Sequence, residues 1–217
     1  MTAPQESGAG VSVAGAAKVL LATRNAKKLK ELQRILGDQV QVIGLADVPE
    51  FPEEPETGAT FEENAIDKAV QAARETGLLS LADDSGLAVD ALNGMPGVLS
   101  ARWSGRHGDD AANIELLLGQ LRDVPDERRG GGFVCALALA APGQEPVVVR
   151  GEWRGTILRE TRGENGFGYD PLFVPEGGDG RSSAELSSGE KDALSHRGRA
   201  IALMLPRLQQ DLGLAQG

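Results

Sequence analysis

Apolar residues along this chain come in two rhythms. Short continuous runs bounded by turn residues alternate with stretches in which apolar positions recur every three or four residues. KVLLAT (18–23) is a run of strand length, and residues 26–36 then carry Leu29, Leu32, Ile35 and Leu36 at helical spacing. QVIGLADV (41–48) reads as a second strand, followed by an acidic, Pro-rich loop, PEFPEEPETG (49–58). Thr60 and Glu63 form a capping box that opens a helix through about Glu75. Its apolar face is Phe61, Ala65, Ile66, Ala69, Val70 and Ala73, and Gly77 stops it. LLSLA (78–82) and GLAVDAL (86–92) read as separate strands. Asp83 and Asp84 then stand at the end of the first, with Ser85 and Gly86 in a tight turn back. Asn93-Gly94 is a further turn signal.

Residues 109–122 look helical, with Ile114, Leu117, Leu118 and Leu121 on one face. GFVCALALAAP (132–142) and EPVVVRGEWRGTIL (145–158) read as an antiparallel hairpin across a Pro-Gly turn. A glycine-rich segment spans 163–180, and 188–210 is mainly helical, with Pro206 kinking or ending the run. The order β-α-β-α-β-β-α-β-β-α predicts an α/β fold. Its expected form is a mixed, strongly twisted central sheet flanked by helices, in two lobes with a substrate cleft between them. Residues 18–213 read as one such domain. Residues 1–17 (MTAPQESGAGVSVAGAA) read as a flexible tail, without the basic start and apolar centre of a signal peptide.

Composition narrows the function classes. The 217 residues are 41% hydrophobic and only 4% aromatic, so aliphatic residues and Ala must fill the core. The formal charge of −10, from 22 basic and 32 acidic residues, argues against a broad surface for polymeric nucleic acid. It leaves room for a basic pocket that holds a small anion. No stretch has the length of a membrane-spanning helix. The single cysteine, Cys135, lies inside FVCALALA and reads as a small buried hydrophobe. With no intrachain disulfide possible, the expected setting is cytoplasmic. Two histidines, His107 and His196, are too few for a zinc site of the Cys/His type.

Four constellations carry candidate chemistry. Adjacent carboxylates at the mouth of a core strand, Asp83 and Asp84, can hold Mg²⁺ or take a proton from water; taken alone they are also ordinary turn chemistry. Thr23-Arg24-Asn25-Ala26-Lys27-Lys28 sits where a strand enters a helix, a place that favours anions. Asn25 is a natural N-cap, and Lys27 and Lys28 oppose the helix dipole unless an anion binds there; solvated surface lysines are the plain alternative. No Gly-Lys-Ser/Thr follows a glycine loop, so the P-loop signature is absent. The acidic loop offers Glu50, Glu53, Glu54 and Glu56 ahead of a helix with Glu62, Glu63, Asn64 and Lys68, and one glutamate can join the aspartates on a metal. Gly166-Phe167-Gly168-Tyr169-Asp170-Pro171 holds two of the six Phe/Tyr residues among glycines, where a ring can meet a planar base. Finally, Lys191 and His196 are five residues apart, and one unbroken helix would separate them. A break at Ser195, with Ser195 as a new N-cap, lets His196 and Arg197 join Lys191 over a pocket. Nothing in the sequence places an oxyanion hole for a Ser-His-Asp triad.

Together the stretches LATRNAKKLKEL, TGATFEENAIDKA, ADDSGLAVDALNGMPGVLSARWSG, GFGYDPLF and SSGEKDALSHRGRA resemble the Ham1-like family of inosine and xanthosine triphosphate pyrophosphatases. They recur in one order from residue 20 to residue 200. The resemblance implies Mg²⁺-dependent hydrolysis of non-standard purine nucleoside triphosphates between the α- and β-phosphates, giving a monophosphate and pyrophosphate. It implies a homodimer. By position, Asp84 would be general base and metal ligand. Thr23, Arg24, Asn25, Ala26, Lys27 and Lys28 would hold phosphates, with Ser85 adding a contact. Phe167, Gly168, Tyr169 and Asp170 would enclose the base and sugar, and Lys191, His196 and Arg197 would complete the pocket. Many members have Gly where this chain has Arg24. Two rivals remain: a phosphomonoesterase with an aspartate nucleophile, which would release orthophosphate, and a non-catalytic nucleotide sensor.

Overall fold

A computed structural model describes residues 18–37 and 40–214, so the expected tail over 1–17 lies outside the described residues. Six strands form one mixed sheet in the order β2-β1-β3-β4-β5-β6. They are β1 (Lys18–Leu21), β2 (Gln41–Gly44), β3 (Ser80–Val89), β4 (Gly130–Ala140), β5 (Val147–Ile157) and β6 (Phe173–Pro175). β1 pairs in parallel with β2 and β3, and every later pairing is antiparallel. The helices are α1 (Ala26–Leu36), α2 (Phe61–Thr76), α3 (Asp110–Gln120), α4 (Ser188–Leu194) and α5 (His196–Asp211).

Helix limits follow the capping chemistry. Asn25 Oδ1 accepts from the backbone N–H groups of Lys27 and Lys28. The Thr60–Glu63 capping box opens α2, and Gly77, with φ 71°, closes it. Ser195 caps α5 through the N–H of Gly198, so the break between α4 and α5 falls where expected. Pro206 neither ends α5 nor stands at its edge. It lies on the exposed side, as does Ala202, whose carbonyl it leaves without a helical partner. On α2, Val70 turns out to solvent, and Ala72 takes the buried position instead.

The main correction concerns residues 80–89. They form one unbroken ten-residue strand, with no turn at Ser85-Gly86. Gly86 is required for another reason: a Cβ there would lie 2.3 Å from Ser100 Oγ and 2.5 Å from the Gly97 carbonyl oxygen. The glycine admits the 97–102 segment against the strand, and a close approach has the same sequence signature as a turn. The second strand is also shorter than 41–48, because Leu45–Asp47 turn in a short 3₁₀ helix. The glycine-rich segment contributes the small strand β6.

One long β3 positions the site. Its first residues belong to cores on both faces of the sheet. Val19, Leu81, Leu137, Ile201 and Met204 pack beneath α1 and α5. Leu20, Ala65, Ala69, Ala82 and Ala136 pack beneath α2. Its last residues, Leu87 and Val89, join a third cluster with Leu117, Phe133, Trp153 and Phe173. Asp83, Asp84 and Ser85 fall between these clusters, at the waist of the molecule. α5 reaches β5 closely because Gly151 has no side chain: a Cβ there would sit 2.1 Å from the His196 carbonyl oxygen and 2.6 Å from Ala200 N. Gly151→Ala forces helix and sheet apart and lowers stability by about 1–3 kcal/mol, seen as a lower urea midpoint with an unchanged slope.

Candidate active site

Successive side chains on a strand point to opposite faces, and Asp83 and Asp84 obey that rule. Asp83 faces α1 and α5. Its Oδ2 lies 3.1 Å from Lys28 Nζ and accepts from Arg197 Nη2 at 3.2 Å. Ser85, two residues on and on the same face, accepts from the same guanidinium at 2.9 Å. Asp84 faces α2, where Asn64 Nδ2 donates to it at 3.1 Å and Lys68 Nζ lies 3.5 Å away.

The two environments drive the carboxyls apart. Burial alone would raise Asp83, but the charges of Lys28, Arg197 and Lys68 outweigh it and hold this carboxyl well below the usual range. Burial raises Asp84 as well, and there Lys68 and Lys28 do not reverse it, with Glu56 adding negative charge. Asp83 is therefore a fixed anion, and Asp84 is the more basic of the pair. Neighbouring carboxyls with opposed shifts are the pattern of an assigned acid–base site.

A cleft opens over this waist. It is lined by Thr23, Arg24, Asn25, Lys28, Asp84, Ser85, Phe167, Gly168, Tyr169, Asp170, Lys191, His196 and Arg197, which brings most of the expected site residues together. Ala26 and Lys27 are not among the lining residues. Asn25 and Lys28 take the lining positions of the first turn, while Lys27 stands at the rim, its ammonium 3.4 Å from Asp110 and 5.5 Å from the centroid of the Phe167 ring. Arg24 pairs with Glu53 at 2.9 Å and donates to the Phe51 carbonyl at 3.3 Å.

The acidic loop separates into distinct roles. Glu54 pairs with Arg74, and Glu53 with Arg24. Glu56 Oε1 lies 3.0 Å from Lys68 Nζ, the cation that Asp84 also meets, while its Oε2 accepts from Arg102 at 3.2 Å. Two hard carboxylates thus sit within reach of one cationic point. That donor set suits a Mg²⁺-like ion, which takes one or two protein carboxylates and completes its shell with water and phosphate. Among the described residues no group of three or more His, Cys, Asp and Glu side chains forms a metal cluster.

The opposite end of the cleft is a buried ionic network. Lys191 Nζ lies 3.0 Å from Glu31 and 2.6 Å from Asp170, and Arg197 bonds Glu31 as well as Asp83. Three polar atoms here, Arg197 Nε, His196 Nδ1 and Asp83 Oδ1, are buried without a partner. His196 stacks on Phe133 at 5.0 Å. Burial, then the charges of Arg197 and Lys191, hold its imidazole well below 6.5, so it is neutral. The unfolded chain binds a proton near pH 6.5 and the folded chain does not. The stability from this group is complete above that pH and drains as pH falls below it. Asp84, with its raised carboxyl, works in the opposite sense, so a comparison of proteins isolates the histidine. Between pH 6.5 and 5, His196→Gln should lose stability less steeply than wild type by up to about 1.4 kcal/mol per pH unit. Urea midpoints across that range read it.

Sequence reasoning places Lys68 on the capped helix without a role, and does not reach Glu31, Arg102 or Asp110. Asn64 and Lys68, one helical turn apart, flank the apolar stripe of α2, which was the available signal. Arg102 and Asp110 carry no periodic signal. Cys135 is buried, with its thiol pushed up to about 12 by burial and the Asp83 charge, as inert as expected. Trp153 is core, and Trp103 donates to Gln120 at 2.9 Å.

With this geometry established, the relatives are informative. The profile of the Ham1 family matches residues 19–207. A dITP/XTP pyrophosphatase of Nocardia farcinica is 67% identical over 196 residues, covering 88% of this chain and 95% of that protein. The crystal structure of a nucleoside-triphosphatase, or dITP/XTP pyrophosphatase, from Mycobacterium abscessus is 64% identical with a TM-score of 0.73, covering 87% of this chain and 99% of that one. The Staphylococcus aureus Ham1 protein, 41% identical, superposes with a TM-score of 0.79 over 89% of this chain and 99% of its own.

Proposed function

This chain belongs to the Ham1 family, and we propose that it hydrolyses non-standard purine nucleoside triphosphates, such as dITP and XTP, to monophosphate and pyrophosphate. The observation that carries this reading is the divergence of Asp83 and Asp84 at the waist of the cleft. One carboxylate is locked as an anion among cations, and its neighbour is kept basic by burial and the charge of Glu56, against the pull of Lys68.

The triphosphate lies along the start of α1. That helix has no acidic residue in its first turn, and with Asn25 capping the N–H groups of Lys27 and Lys28 it offers an anion the positive end of its dipole and the Lys28 ammonium. Arg24 and Lys28, the cations that line the cleft here, already hold Glu53 and Asp83, and phosphate oxygens compete for the same donors. Asp84 accepts a proton from a water molecule as the water oxygen attacks the α-phosphorus; the bond to the β-phosphate bridging oxygen breaks and pyrophosphate leaves. Asp84 and Glu56 would hold a divalent ion, with Mg²⁺ proposed. When bound it supplies Lewis-acid neutralisation of phosphate charge. Lys68 then stands beside both carboxylates and adds positive charge near the reacting phosphate.

The purine enters the other end, against Phe167. Arg197 Nε is a buried donor with no acceptor, and a 6-keto oxygen supplies one. A 6-amino group presents another donor and is rejected, which is the repulsive element that discrimination needs. The same reading includes a homodimer and a cytoplasmic setting, on the strength of the family resemblance. No helix among the described residues is long and apolar enough to cross a membrane.

A nucleotide panel tests the reading. With Mg²⁺ present, inosine, deoxyinosine and xanthosine triphosphates should each release inorganic pyrophosphate, with ATP and GTP far slower. Orthophosphate as the first product would favour the phosphomonoesterase, and tight binding without turnover the sensor.

A further inference from the structure

Two carboxylates grip the aromatic loop from different sides. Asp170 Oδ2 accepts from the backbone N–H of Phe167 at 2.8 Å and from Lys191 Nζ at 2.6 Å. Asp110 Oδ2 accepts from the backbone N–H of Gly168 at 2.9 Å and lies 3.4 Å from Lys27 Nζ. The ammonium groups of Lys191 and Lys27 stand 5.2 Å and 5.5 Å from the centroid of the Phe167 ring. Each carboxylate therefore takes one loop N–H and one lysine, and each lysine meets the same ring. Asp170 belongs to the loop itself. Asp110 does not: it opens α3, and Lys27 belongs to the first turn of α1. Asp110 ties together three segments distant in sequence at the rim of the cleft.

We propose that Asp110 is a positioning residue, the centre of a Lys27–Asp110–Gly168 clasp that holds Phe167 ready to stack on the purine. The proposal deepens the functional reading above and rests on it. Gly166 and Gly168 both have positive φ, at 76° and 60°, so this loop has a backbone of unusual freedom that something must restrain. The Lys27–Asp110 pair is exposed and weak by itself; its effect is to keep the carboxylate aimed at Gly168. The bond from the Gly168 N–H is charge-assisted and carries the restraint. A ring fixed before binding spares the ligand the cost of ordering it. Phosphates bound at the start of α1 need none of this.

The test separates ligands with and without a base, by calorimetry with inosine monophosphate and inorganic tripolyphosphate. Asp110→Ala should weaken inosine monophosphate about tenfold, and Asp110→Asn, which keeps an acceptor for Gly168 but loses the charge, about threefold. Tripolyphosphate should bind all three proteins within about twofold, because its site lies outside the clasp. KM for inosine triphosphate should rise in step with the monophosphate Kd, with kcat near wild type. Asp109 still caps α3 in both variants, and thermal melts check that the fold is intact. Loss of less than about twofold in Asp110→Ala, or equal losses for both ligands, overturns the clasp. A wild-type chain that binds inosine monophosphate yet releases no pyrophosphate overturns the functional reading, and the clasp is then judged on the Kd ratio. A wild-type chain that binds no inosine monophosphate overturns both.

Discussion

Asp84→Asn should lower the rate of pyrophosphate release by a thousandfold or so, the scale of a lost general base. The change is nearly isosteric. It removes the proton acceptor and one of the two carboxylates that face Lys68, while Lys68 keeps Glu56 at 3.0 Å. Nucleotide binding at the purine end should survive. Stability should not fall, and the reason is the direction of the shift. A carboxyl raised in the folded state contributes stability only where it is protonated, and that contribution is lost as pH rises through the folded value. At neutral pH the ionised Asp84 is a burden that the fold carries for activity, and the neutral amide removes it. Asp83→Asn should behave in the opposite way. Asp83 is depressed, so its stabilisation is present above the ordinary value of 3.8 and is lost only as pH falls below it. Its amide leaves Lys28 and Arg197 short of a partner, and the urea midpoint drops. Two substitutions one residue apart thus separate activity from stability. Normal turnover in Asp84→Asn would sink the assignment.

The second large effect is on stability. Arg197→Met should cost about 3–5 kcal/mol, the range for removing one partner from a buried ionic network. The side chain is 2% exposed, and its guanidinium bonds Glu31, Asp83 and Ser85 at once. Methionine fills much of the volume but leaves two buried carboxylates with one lysine each, Lys191 on Glu31 and Lys28 on Asp83. Arg197→Lys keeps the charge without the planar fork, and should fall between the two. Urea unfolding at pH 7 measures all three proteins. A loss under about 1 kcal/mol in Arg197→Met would mean that the network contributes little to the fold, as a surface pair would. Preference for 6-keto purines should also weaken in both variants, because the Nε donor is gone.

Much of the architecture was legible because local chemistry decides it. The Thr60–Glu63 box, Asn25 and Ser195 act within three residues of themselves, and all three cap helices where the sequence places them. The break at Ser195 mattered most, since it turns His196 and Arg197 toward Lys191. Ser85-Gly86 misled for a physical reason. A glycine that admits a neighbouring segment and a glycine that permits a turn look alike until the neighbour is known, and here the neighbour is Ser100, 14 residues beyond Gly86.

By itself the sequence determined the helices, the hairpin, the mixed sheet and the inventory of acids, lysines and aromatics. Tertiary structure alone decided how that inventory is used. Which of two adjacent aspartates is basic depends on which sheet face each meets: α1 and α5 bring Lys28 and Arg197 to Asp83, and α2 brings Asn64 and Lys68 to Asp84. Which glutamate of the acidic loop matters was decided in the same way, by where Lys68 points. Caps and turns are set by bonds between near neighbours. Charge and desolvation act through space, between residues that only the folded chain brings together.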